Sequence, residues 1–146
     1  MLLNQDPEHV WFSPSCGPWS GWSTLNGSRS LQAWDELQQL RIQHLEQVAS
    51  GLVVLRFQRS RQRHMHWEQS KASCMFKLPC LQEVHQHTLA VDFDMCVAGD
   101  LKDAENGRFI RKGMTVLSTS SRMVETSNTR SAMVNMCIRS LRAPKL

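Results

Sequence analysis

The sequence predicts an α/β fold, a partial Rossmann-like open sheet with an antiparallel edge pair. Three observations lead there. An apolar burst over residues 10–12 is cut off by a Pro- and Gly-containing loop. A long helical segment then leads to a second strand candidate over 64–69, which is the strand–helix–strand unit of a parallel sheet. Finally, strand candidates over 89–96 and 109–119 flank the tight-turn dipeptide Asn106-Gly107, which suits an antiparallel pair at the sheet edge.

The elements follow in order. Val10, Trp11 and Phe12 form the first short strand, and Ser13-Pro14-Ser15-Cys16-Gly17-Pro18 breaks it. Residues 19–28, with Trp19, Trp22 and Asn26-Gly27-Ser28, read as a continuing loop. From Leu31 to Leu55, apolar residues recur at steps of two to four: Leu31, Trp34, Leu37, Leu40, Ile42, Leu45, Val48, Leu52 and Leu55. That recurrence predicts a helix with a broad apolar face. Ser28 or Ser30 can cap its start, and Gly51 is expected to weaken or end it. Arg56, Arg59, Arg61 and Arg63 crowd its end, where cations are favourable and a solvated face is expected.

Residues 64–69 are the second strand. Residues 70–80 read as a loop or short helix stopped at Pro79, and 81–87 as one or two helical turns. The two last strands follow, joined by a polar connection over 99–107. Residues 1–120 are thus expected to form one domain. Residues 121–146 read as a polar, basic tail with a short helix over 132–141. A strand so close to the start suggests a fragment whose preceding strands belong elsewhere.

Lys and Arg outnumber Asp and Glu by 17 to 13, a net charge of +4 that permits a polyanionic partner without requiring one. Five cysteines, an odd number spread along the chain, suit reduced thiols in an intracellular protein, nuclear or cytoplasmic. Met1-Leu2-Leu3 passes at once into Asn4, Gln5 and Asp6, so no secretory leader is expected. No apolar run approaches the ~20 residues of a membrane span, so no membrane partner is expected.

Three features could carry chemistry. Cys16 lies in the loop after the first strand, and Trp67-Glu68-Gln69 ends the second. Asp94-Met95-Cys96 through Gly99, then Gly107 and Ile110-Arg111-Lys112, surround the antiparallel turn. In open α/β sheets ligands bind beyond the carboxyl ends of the strands, where Cys16 and Glu68 are expected to lie. Taken in order, these features resemble the catalytic half of the cytosine-C5 DNA methyltransferases. That family has a Pro-Cys loop, a Glu-Asn-Val strand end and a later Gly-x-Pro-Gln-x-Arg-x-Arg stretch. The resemblance covers residues 10–119 and extends to degenerate domains of this type in retroelement-like polyproteins of dinoflagellates and other protists.

The resemblance implies roles. Cys16 would be the nucleophile, adding as thiolate to C6 of cytosine, and Glu68 the acid that hydrogen-bonds N3 and stabilises the charge that develops. The target base would have to leave the duplex. Arg108, Arg111 and Lys112 would contact DNA or RNA phosphates. The sequence departs from the family where Ser15 replaces Pro before Cys16 and Gln69-Ser70 replaces Asn-Val. No glycine-rich strand–loop–helix precedes Val10, so this chain is expected to hold no cofactor, and S-adenosylmethionine would bind only if a missing half were supplied. The function implied is a catalytically inactive or incomplete methyltransferase-like module of mobile-element origin that retains weak nucleic-acid binding.

Two alternatives stand beside it. One is an active nucleic-acid-modifying enzyme completed by another chain, with self-association through open sheet edges as a related expectation. The other is an interaction domain without chemistry, which could bind zinc through Cys74, Cys80, His85 and His87, although C-x5-C followed by H-x-H is not a standard zinc spacing. The primary reading assigns no metal. The tryptophans at 11, 19, 22, 34 and 67 are expected mostly to pack, with the occasional one serving as a base-stacking surface.

Overall fold

The computed structural model describes residues 6–94, 105, 107 and 112–126. In chain order they form β1 (His9–Phe12), α1 (Gly21–Gly27), α2 (Leu31–Ser60), β2 (His64–Ser70), α3 (Gln82–His87), β3 (Leu89–Asp94) and β4 (Gly113–Ser118). A last helical stretch, α4, covers 121–126. The four strands make one sheet in the order β1-β2-β4-β3. β1 and β2 are parallel, with His9 opposite His64 and Phe12 opposite Trp67. β4 runs antiparallel to both its neighbours, so β4 and β3 form the antiparallel pair at one edge. The chain is therefore an α/β fold with a mixed open sheet, as the sequence predicts.

Helix α2 is the crossover that parallel pairing of β1 and β2 requires. Ser30 caps it, its Oγ accepting from the N–H of Ala33 at 3.1 Å. Gly51 does not end it. A side chain there would sit 2.6 Å from the Phe12 ring and 2.7 Å from the Trp67 ring, so Gly51 lets the sheet approach the helix closely. Thirty residues span about 45 Å, far more than the seven-residue β2 can cover. Only Leu37, Val48, Gly51, Leu55 and Gln58 are buried. Leu31, Leu40, Ile42, Leu45 and Val53 stay exposed, so the broad apolar face expected from the sequence narrows to one stripe.

Residues 21–27 are helical, where a loop was expected. Ser20 caps α1 by accepting from Ser23 N–H at 3.0 Å, and Gly27 lets Leu37 and Trp34 of α2 pack against its backbone. Pro79 opens a short 3-10 turn over Pro79–Leu81 rather than stopping a helix. The described part of the last strand begins at Gly113, and Cys96, Arg108 and Arg111 lie outside the described residues, as does the tail beyond 126.

The sheet has two distinct faces. Met65, Trp67 and Leu117 pack with Val48 and Leu55 of α2, with Trp19 and with Met75, Leu81 and Val84. On the other face Val91 and Val116 pack against Val124. Alternation along β2 places His66 and Glu68 on that second face. The basic end of α2 is spent within the chain: Arg56 pairs with Glu83 at 2.6 Å, and Arg61 and Arg63 hold Asp6 at 2.9 and 2.7 Å. No helix among the described residues is long and apolar enough to cross a membrane.

Candidate functional site

Parallel pairing carries the loop after β1 to the end of β2. Two side-chain hydrogen bonds fix it there. The Ser13 hydroxyl donates to Glu68 Oε2 at 2.5 Å, and the Gln69 side-chain amide donates to the carbonyl of Pro14 at 2.5 Å. Gln69 is 1% exposed, so it acts as a buried clamp on the loop backbone. Cys16 then starts one turn of 3-10 helix, its carbonyl accepting from Trp19 N–H at 3.1 Å. Beyond it the Ser23 hydroxyl donates to the Gly17 carbonyl, which ties the loop to α1.

These contacts shape a cleft of about 490 Å³ lined by Cys16, Glu68, Trp11, Phe93, Met114 and Lys112, among others. The cysteine and the glutamate that the sequence singled out thus face one cleft from neighbouring parallel strands, and Lys112 joins them from the start of β4. Cys16 is half-buried with a free thiol. Trp11, half exposed, and Phe93 supply aromatic walls. Ser13 holds one oxygen of Glu68 and leaves the other for a donor.

Ser13, Gln69 and Trp11 were not marked as site residues by the sequence, and Gln69 read only as a departure from a family pattern. A polar residue beside each motif residue, Ser13 before the cysteine loop and Gln69 after the acid, was the available signal.

On the same sheet face, toward the amino ends of the strands, lies a histidine row. The Ser118 hydroxyl donates to the Ser120 carbonyl at 3.2 Å and accepts from Ser120 N–H at 3.0 Å. It also hydrogen-bonds His66 Nδ1 at 2.9 Å. His66 Nε2 in turn shares a hydrogen bond of 2.9 Å with His9 Nδ1, the two rings only 9° from parallel. Burial, then the neighbouring His9 and His64, lowers the His66 pKa to about 4.

Asp92, at the sheet edge, accepts from Lys71 at 2.7 Å and from Thr115 at 2.5 Å, and both bonds hold its pKa below the usual carboxylate range. The alternative zinc set does not assemble. His85 Nε2 bonds the Phe76 carbonyl at 2.9 Å, Arg41 reaches Cys74 Sγ at 3.6 Å, and Cys80 is exposed. Among the described residues no group of three or more His, Cys, Asp or Glu side chains could hold a metal ion.

Among the described glycines, Leu37 fills the space at Gly27 and Phe12 and Trp67 fill it at Gly51, while Gly21 and Gly107 have open space beside them. Comparison with protein-family models, with curated proteins and with solved structures finds no match for this chain.

Proposed function

We propose that this chain is a cytosine-C5 methyltransferase-like module of mobile-element origin that does not turn over by itself, and that it receives an unpaired base of DNA or RNA in the Cys16–Glu68 cleft, in a nuclear or cytoplasmic setting. The single observation that carries this reading is the shared cleft: a free thiol from the loop after β1, the Glu68 side chain near the carboxyl end of β2 and a lysine line one hollow.

The chemistry of the lining supports it. Trp11 offers a ring face to a planar base. Glu68 accepts from a base N–H, and Lys112 meets phosphate as a point charge. Arg108 and Arg111 complete the proposed phosphate contacts. S-adenosylmethionine enters no step of this reading.

Two measurements test it together. Titration calorimetry with S-adenosylmethionine is expected to show no binding by this chain alone, and DNA carrying 5-fluorocytosine is expected to bind without a stable covalent bond. Tight binding of the methyl donor, or an adduct lost in Cys16→Ala, would replace this reading with the second one, an active enzyme completed by another chain. One observation favours that second reading: among the described strands β1 pairs on one side only, with β2, which leaves its other edge open to a further strand.

A further inference from the structure

The Cys16–Glu68 cleft does not end at Lys112. Ser70 and Lys112 also line an adjoining trough of about 630 Å³, whose far wall is Trp22 and Leu25 from α1 and whose floor runs along Lys71 and Gly113. Trp22 is 76% exposed and Trp11, at the other end, is 51% exposed. Two exposed indoles thus line two hollows that meet at Ser70 and Lys112. Trp11 packs a ring against His66, with centroids 5.4 Å apart, and is still half exposed, while Trp22 is largely open, so both offer indole surface to an occupant with rings of its own.

The charges narrow the occupant. Lys112 stands at the junction, while Lys71 is tied to Asp92 at 2.7 Å. Glu68 faces the cleft end, with one oxygen held by Ser13. The order along the path is thus an aromatic surface with an acceptor for base N–H groups, a cation, and a second aromatic surface. Flat rings joined by anionic links match this order, and a base can lie on an indole only if its face is free. A duplex keeps its base faces stacked internally, whereas a single strand presents them.

We propose that the Trp22 trough is a second base-stacking subsite, and that the chain binds single-stranded nucleic acid along a track from Trp11 past Lys112 to Trp22. The inference rests on the nucleic-acid role proposed for the Cys16–Glu68 cleft and adds to it a strand state and a second contact residue. Trp22 stacks a base neighbouring the one in the cleft, and Lys112 neutralises the phosphate between them.

The test is fluorescence anisotropy of a labelled, mixed-sequence DNA of about 12 nucleotides, single-stranded or annealed to its complement, titrated with the full chain across a salt series. The expected result is tighter binding of the single strand than of the duplex. Trp22→Ala weakens it at least about fivefold, the lower end of what one stacked base contributes. Trp22→Phe keeps most of the affinity, which separates stacking from bulk. Lys112→Ala lowers the salt slope by about 0.7, one phosphate contact on a single strand.

Trp22 is exposed enough that its substitution leaves folding intact, and thermal melts of each variant verify this. Equal affinity for both strand states, or a Trp22→Ala variant that binds as the parent does, would overturn the track. If Trp11→Ala and Lys112→Ala still weaken binding in that case, the cleft reading survives alone. Absence of binding even at low salt would overturn both. Self-association through Trp22 that the oligonucleotide does not dissolve would assign the trough to a second copy and overturn the proposal.

Discussion

His66 resists a second proton because it is buried and because His9 and His64 stand beside it. The folded pKa of about 4 lies below the ordinary 6.5, so between these values the unfolded chain binds more protons than the folded one. Stability is therefore full above pH 6.5 and falls as the pH drops toward 4, by a ceiling of about 3 kcal/mol. Urea unfolding across this range checks it, and His66→Asn should flatten the slope. A second residue-scale prediction concerns Gln69. Gln69→Leu leaves the buried Pro14 carbonyl without its donor and should cost about 1–3 kcal/mol in the same assay. Neither role was legible in the sequence. Both depend on the register of β1 on β2, which brings together residues 57 and 55 positions apart. Cys16 and Glu68 were legible because each directly follows or ends a strand signal.

At the scale of elements, contact with a neighbour decided what local pattern left open. β1, β2 and α2 could be read because Pro, Gly and the change of period from two to about four punctuate them. Helix α1 could not, since Gly21, Ser23, Asn26 and Gly27 are poor helix formers and its stability comes from the Ser20 cap and from packing on α2. The buried stripe of α2 was equally hidden, because apolar residues at steps of two to four surround the whole helix and only the sheet's position selects among them. Gly51 marks that position. Gly51→Ala should gain helix propensity of about 1 kcal/mol yet lose more by forcing apart Phe12 and Trp67, for a net destabilisation of about 1–2 kcal/mol by chemical denaturation. Ser30→Ala, which only removes the α2 cap, should cost about 1 kcal/mol in the same measurement.

The described residues combine a sheet packed on one face by α2 with a cleft near the carboxyl ends of its parallel strands. The core is concentrated between α2 and one sheet face, while the second face carries the histidine row, Trp11 and Glu68. The fold class could be read from strand and helix order, but the insertion of β4 between β2 and β3 could not, because sequence adjacency does not state which strand lies inside. The mildly positive charge is not spread evenly over free side chains: Arg56, Arg61, Arg63 and Lys71 are all engaged in ion pairs. Arg56, Arg61 and Arg63 are therefore less available to a polyanion than an unpaired cation would be. Combined substitution of Arg61 and Arg63 by Ala should leave oligonucleotide affinity within about twofold while lowering stability slightly, because exposed ion pairs contribute little.

The central claim is that the Cys16–Glu68 cleft receives a nucleic-acid base, and the thiol itself can report it. Cys16 is half-buried and lines the cleft, whereas Cys80 is exposed and does not line it. Alkylation rates of both, followed by mass spectrometry, give a site reporter and an internal reference on one chain. A saturating single-stranded oligonucleotide should slow alkylation of Cys16 several-fold and leave Cys80 unchanged. An unchanged Cys16 rate with the oligonucleotide demonstrably bound would place the nucleic acid elsewhere and contradict the claim.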